Sequence, residues 1–215
     1  MAGTDFRPPI RLEGKYVDMV PLDPSQLPDL VKAGQYPAIW TYFRAGLGDT
    51  ESGMRRLVEG LLTLQEQGTD LPFTVVRRSD GVPIGMTRYL EIHREDHAVE
   101  VGGTWFTPAC WRTPFNTDSK RRMLGYAFEE EGVRRVQLKT DVRNLQSRTA
   151  ILRIGAVFEG VLREHILLPD GSFRSSAYYS VVASEWPAVR ERLDAMLARP
   201  WVPSSGTQDT ALTRP

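Results

Sequence analysis

Apolar positions along the chain change period several times, and each change marks an element. Between residues 98 and 160 the pattern reads strand, loop, helix, strand, loop, helix, strand. Val99, Val101 and the run Thr104, Trp105, Phe106 make an extended, β-prone stretch. A loop rich in turn formers follows. The next helix is predicted from about Thr117, with Met123, Leu124, Ala127 and Phe128 spaced to share one apolar face. A second strand at 136–140 stops at Asp141, and Asn144 has the chemistry of an N-cap for a helix that turns Ile151 and Ile154 inward. Helix N-termini carry unpaired N–H groups and a partial positive charge. Two of them beside neighbouring strand ends make a natural seat for an anionic, extended ligand.

The remaining pattern surrounds this stretch. Residues 11–21 alternate as a first strand, and Asp23-Pro24-Ser25-Gln26-Leu27-Pro28 starts a short helix with Asp23 or Ser25 as its cap. Trp40, Tyr42 and Phe43 sit in a segment with no clear period. Asp49-Thr50 precedes a stronger helix whose Leu57, Val58, Leu61, Leu62 and Leu64 form an apolar face until Gly68. Residues 73–77 and 84–92 read as a hairpin around Ser79-Asp80-Gly81-Val82-Pro83. After Gly160 the chain runs extended to Leu168, turns at Pro169-Asp170-Gly171 and returns along 177–182. Ser184 is placed to cap a last helix containing Val189, Leu193, Met196 and Leu197. Residues 1–10 read as a loose arm, 11–198 as a single α/β domain, and 199–215 as a disordered tail rich in Pro, Ser, Gly and Thr.

Composition narrows the functional classes. With 27 Lys plus Arg against 27 Asp plus Glu, no net field draws the chain to nucleic acid or an anionic membrane. No apolar run approaches transmembrane length, and the N-terminus lacks a basic-then-apolar signal pattern. The single cysteine, Cys110, excludes an internal disulfide and has no local histidine to activate it. His93, His97 and His165 are too scattered for metal-ligand spacing, so no metal is expected. A cytoplasmic protein is the simplest reading.

The strand Glu100-Val101-Gly102-Gly103-Thr104-Trp105-Phe106, the loop Pro108-Ala109-Cys110-Trp111-Arg112-Thr113-Pro114-Phe115-Asn116-Thr117, the segment Asp141-Val142-Arg143-Asn144-Leu145-Gln146-Ser147 and the ending that starts Gly155-Ala156-Val157-Phe158-Glu159-Gly160 carry a resemblance. They are similar to the GNAT acyltransferases, most closely the RimJ/RimL-type branch that acylates protein N-termini and small amines. The resemblance implies a GNAT fold of the α/β (α+β) class: a central mixed, mostly antiparallel twisted sheet flanked by helices on both faces. It implies acetyl-CoA, or another acyl-CoA such as succinyl-CoA, as co-substrate, an amine acceptor, and room for a homodimer. A GNAT-shaped domain that binds acyl-CoA without transferring the acyl group is the alternative it leaves open.

Family members hold the pyrophosphate of coenzyme A with a Q/R-x-x-G-x-G/A loop. The aligned positions here are Trp111 to Asn116, where Pro114 has no N–H and neither glycine is present. The cradle would then use Arg112, Thr113, Phe115, Asn116 and Thr117. By the same resemblance Asn144 binds the pantetheine arm, and Ser147, three residues on and on the same helical face, replaces a tyrosine acid whose place Ile151 occupies. Backbone N–H groups of Thr104, Trp105 and Phe106 would receive the oxyanion. Glu100 is the candidate base, directly or through water, and an ion-paired strand carboxylate is the competing reading. Trp40 and Arg163 are the candidate contacts to the acceptor amine.

Overall fold

The computed structural model describes residues 6–8, 10–43 and 48–201. The chain opens with a small hairpin, β1 (Leu12–Glu13) and β2 (Val17–Pro21). A 3-10 turn capped by Asp23 leads into α1 (Leu27–Gly34), the short α2 (Pro37–Trp40) and the long α3 (Glu51–Glu66), whose N-cap is Thr50. Then come β3 (Leu71–Arg77), β4 (Pro83–His93) and β5 (Ala98–Phe106), an antiparallel meander. Next, α4 (Phe115–Gly125) runs into a π-helical turn at Tyr126–Glu130 before β6 (Arg135–Asp141) and α5 (Leu145–Arg153). The hairpin β7 (Val157–Leu167) and β8 (Phe173–Val182) and then α6 (Trp186–Ala198) complete the described order.

These strands form one eight-stranded sheet in the order β1-β2-β3-β4-β5-β6-β8-β7. Every pairing is antiparallel except β5 with β6, the two strands joined through α4. A parallel pair needs such a crossover, and its helix must cover one sheet face. Accordingly Met123, Leu124, Ile151, Ile154, Val189 and Leu193 of the helices pack with Val99, Val136, Leu138 and Tyr179 of the strands on one side. Leu30, Met54, Val58 and Leu61 pack with Met86 and Trp105 on the other. Helices flank a mixed, mostly antiparallel sheet on both faces, as the resemblance implied.

Three boundaries differ from the periodic reading. The first strand is broken at Gly14 into a hairpin, because Asp118 of α4 reaches that turn and accepts the N–H groups of Lys15, Tyr16 and Val17 at 3.0, 2.6 and 3.0 Å. Helix α4 begins at Phe115, two residues earlier than its apolar face suggests, with Pro114 as N-cap. The last helix is entered from Glu185, whose carboxylate accepts the Val182 N–H at 3.0 Å, so Ser184 is not its cap. Within the expected arm and tail, the described Phe6 is buried against Tyr89, and Trp201 rests on Tyr16 and Phe115. Aromatic burial ties down both positions.

Candidate active site

The sheet opens in the middle. Parallel pairing of β5 with β6 covers only Ala98–Glu100 against Arg135–Gln137; beyond it β6 stays with β8, and β5 stays with β4 as far as Phe106. The β4–β5 register shifts between Met86 and Arg88, opposite Gly103 at φ +57°. A side chain at Gly103 would lie 2.9 Å from Arg88 Nε, so glycine permits both the left-handed backbone and the close approach. The result is a strand edge from Val101 to Phe106 with no ladder partner on the β6 side among the described residues. Backbone N–H groups alternate along it: the Thr107 N–H reaches the Ile84 carbonyl at 2.8 Å, so the Trp105 N–H also turns to β4 and, contrary to the sequence reading, only those of Phe106 and Thr104 can face the open side. Unpaired backbone donors there are available to a ligand.

The start of α4 supplies a second set of donors. The Pro114 carbonyl accepts the Asp118 N–H at 2.9 Å, so this proline precedes the orphan amides of the first turn instead of replacing one. The Phe115 N–H is held by Thr113 Oγ1 at 3.3 Å, whereas those of Asn116 and Thr117 have no acceptor among the described residues. Arg112 sits in the left-handed region at φ +60°, and its side chain is exposed beside this turn. Arg153 from the end of α5 donates to Thr117 Oγ1 at 3.3 Å and adds a second guanidinium that the sequence reading did not single out. Open amides, a helix dipole and two cations fit a phosphate group.

Helix α5 begins as expected. Asn144 Oδ1 accepts the Ser147 N–H at 2.9 Å, and the half-buried Ser147 hydroxyl has no partner among the described residues. The α5 residue that contacts the start of α4 is Arg153, at the opposite end of α5 from Asn144.

On the face opposite α4, Glu100 is 2% exposed. Its Oε2 accepts from Gln137 Nε2 at 2.9 Å and pairs with Lys139 Nζ at 3.1 Å, and Lys139 also reaches Glu91 at 2.8 Å. Burial pushes the Glu100 carboxyl up, with Lys139 and Gln137 opposing it. His165 and Tyr178 lie along this face, joined at 3.3 Å. Trp40 is buried, donates to the Gly34 carbonyl at 2.7 Å and packs on Phe43 and Trp105. Phe43, Trp105, Arg88 and Gly103 line a cavity of about 70 Å³ between α3 and the open strand. Arg163 is exposed on β7, away from that cavity's lining. Cys110 is buried and its thiol is pushed up to about 11 by burial, which leaves it protonated at neutral pH.

Lys120, Thr87 and Asp118 escaped the sequence reading. They belong to a polar run, Asn116-Thr117-Asp118-Ser119-Lys120-Arg121-Arg122, or to a β-strand, and no spacing within either marks them as buried. Gln137, Lys139 and Arg153 were missed for the same reason.

Comparison with known proteins bears on the fold and the family. The family model described as "Acetyltransferase (GNAT) domain" matches residues 17–157. YdaF of Bacillus subtilis strain 168, named as a candidate ribosomal N-acetyltransferase, is 30% identical over 107 residues, which are 50% of this chain and 57% of that relative. A crystal structure of a candidate acetyltransferase from T. thermophilus superposes with a TM-score of 0.79 at 36% identity, over 88% of this chain and 97% of the other. Mycobacterium smegmatis RimJ in complex with CoA-disulfide shares the fold, with a TM-score of 0.77 at 18% identity over 94% and 100% of the two chains. With the opened sheet, the donor-bearing helix start and a family match across most of the domain, the chain belongs to the GNAT acetyltransferase family.

Proposed function

We propose that the protein moves an acetyl or similar short acyl group from a coenzyme A thioester to a primary amine, of a small molecule or a protein N-terminus, by direct attack in a ternary complex. The observation that carries this reading is the strand edge from Val101 to Phe106, left without a partner where β6 diverges and continuous with the open amides of α4. Phosphates of the carrier would bind Asn116 and Thr117, helped by Arg112, Thr113, Phe115 and Arg153; the pantetheine arm would follow β5 toward Asn144. Of the β5 amides, that of Phe106, with Thr104 at the bulge, would face the thioester oxygen as it becomes negative, since the Trp105 N–H points to β4.

The acceptor would approach from the opposite face. There Glu100, its Oε2 already shared by Gln137 and Lys139, would take the amine proton through a water. Attack would form the N–C bond as the C–S bond breaks, and the Ser147 hydroxyl would protonate the departing thiolate. Trp40 supports the Trp105 and Phe43 wall of the acceptor cavity, and Arg163 would meet a larger acceptor on β7. No activated nucleophile is needed, which fits the protonated Cys110 thiol. Exposed Val157, Phe158, Leu162 and Leu167 on the edge strand β7 support a homodimer through that edge.

Release of free thiol from acetyl-CoA, measured against a panel of small amines and short peptides, tests the reading. Amine-dependent thiol is expected. Thermal stabilisation by acetyl-CoA with no amine-dependent thiol would contradict transfer and leave a binding domain. Repeating the assay with succinyl-CoA identifies the donor.

A further inference from the structure

Lys120 is buried in the second turn of α4, 5% exposed, and makes no salt bridge with any described carboxylate. Its Nζ donates to Thr104 Oγ1 at 2.7 Å and lies 3.4 Å from Thr87 Oγ1. The two hydroxyls are 2.8 Å apart. Each also has a weaker acceptor of its own: Thr87 Oγ1 is 3.5 Å from Met123 Sδ, and Thr104 Oγ1 is 3.5 Å from the Gly102 carbonyl. Both hydroxyl protons can therefore point away from the lysine, leaving two oxygens to accept from an ammonium that has donors only. Thr87 and Thr104 flank the register shift between β4 and β5, and Thr104 stands on the strand edge without a partner.

We propose that Lys120 is a positioning residue for acyl transfer, holding Thr104 and the bulged edge of β5 in place and setting a buried positive charge behind the thioester oxygen. The proposal rests on the acyltransferase reading of the site. During attack the carbonyl oxygen gains a negative charge, which it gives up again when the C–S bond breaks and the thiol leaves. A fixed cation behind the donor strand favours that charged state and needs no reorganisation. Lys120 exchanges no atom with the substrate; it acts through Thr104.

Burial lowers the Lys120 amine to about 7, so its charge changes in the working range. Ionisable groups on the surrounding elements are engaged elsewhere. Tyr89 of β4 donates to the Met123 carbonyl, Arg88 of β4 pairs with Asp70, and Glu100 of β5 pairs with Lys139 on the other sheet face. On α4 itself Asp118 faces the β1–β2 turn and Arg121 pairs with Asp194. Arg88 Nε lies beside Gly103 on the cavity side, so the charge on the α4 side of Thr104 is that of Lys120.

The test compares wild type with Lys120→Met and Lys120→Gln in three measurements: thiol release from pH 6 to pH 9, acetyl-CoA affinity, and, without ligand, backbone hydrogen exchange at Trp105, which pairs with Met86 of β4 beside the register shift. Wild type is expected to exceed Lys120→Met in kcat by about 10-fold or more at pH 6. The ratio should shrink toward about 2-fold at pH 9, where the wild-type lysine is neutral, with affinity for acetyl-CoA little changed. Lys120→Gln should restore slow exchange at Trp105 but not the pH-dependent ratio. A ratio constant with pH, or full activity in Lys120→Gln, would overturn the charge. Unchanged exchange in Lys120→Met would overturn the positioning. If wild type releases no amine-dependent thiol, the acyltransferase reading fails by itself, and the exchange data still decide whether Lys120 orders the strand edge.

Discussion

Asp118 and Lys120 lie two residues apart on α4 and are both buried, yet they answer to different physics. Asp118 takes three backbone N–H groups from the turn between β1 and β2, so its charge is matched by donors. Asp118→Asn would set an NH2 group against amides and is expected to cost about 2–4 kcal/mol in urea denaturation. A loss below about 0.5 kcal/mol would mean that the turn does not depend on the carboxylate. Lys120 has hydroxyl partners only, and burial depresses its pKa from 10.5 to about 7. The folded state then binds fewer protons than the unfolded chain between those values, so stability should rise with pH across that window by up to about 1.4 kcal/mol per unit. Lys120→Met should lose that rise and be at least as stable as wild type at pH 6, since it removes a buried charge. A wild-type stability curve with the same slope as Lys120→Met would contradict the burial effect. Glu100→Gln should lower turnover at neutral pH more than at high pH, where free amine is plentiful; equal loss at both would argue against a base.

Caps and apolar faces were legible because they are local. Thr50, Asp23 and Asn144 accept the expected amides, and each is a short polar side chain directly before a helical period. The start of α4 was misplaced because Pro114 caps through its carbonyl and fixed φ, with no side-chain bond to signal it. Nor did the string reveal the direction of α5 relative to α4, which depends on where β6 leaves β5. Glycines at 102 and 103 hint at the bulge, but only the pairing with β4 shows that it coincides with the end of the parallel ladder. At this scale Asn144→Ala removes a cap that also borders the carrier's path. It should cost about 1 kcal/mol of stability and weaken acetyl-CoA binding measured by calorimetry. Lost stability with unchanged affinity would restrict Asn144 to capping.

Across the whole molecule, the sheet divides the labour between its faces. The α4 side carries the open amides of Asn116 and Thr117 and the buried Lys120, and the opposite side carries Glu100, Lys139 and the apolar cavity. Motifs gave the family and the residues proposed for the carrier, since both draw on a contiguous loop and two helix starts. The side proposed for the acceptor draws on β4, β5, β6, β8 and α3, each contributing one or two residues with no spacing in common, so beyond Glu100, Trp40 and Arg163 the sequence named none of it. The central claim is that backbone donors freed by the strand divergence and by the start of α4 hold the acyl carrier. Hydrogen exchange of individual backbone amides, with and without saturating acetyl-CoA, tests it most directly. Slowed exchange is expected at Asn116, Thr117 and within residues 104–106, while amides of α6 remain unchanged. Saturation without protection at either segment would show that the carrier binds elsewhere and contradict the assignment.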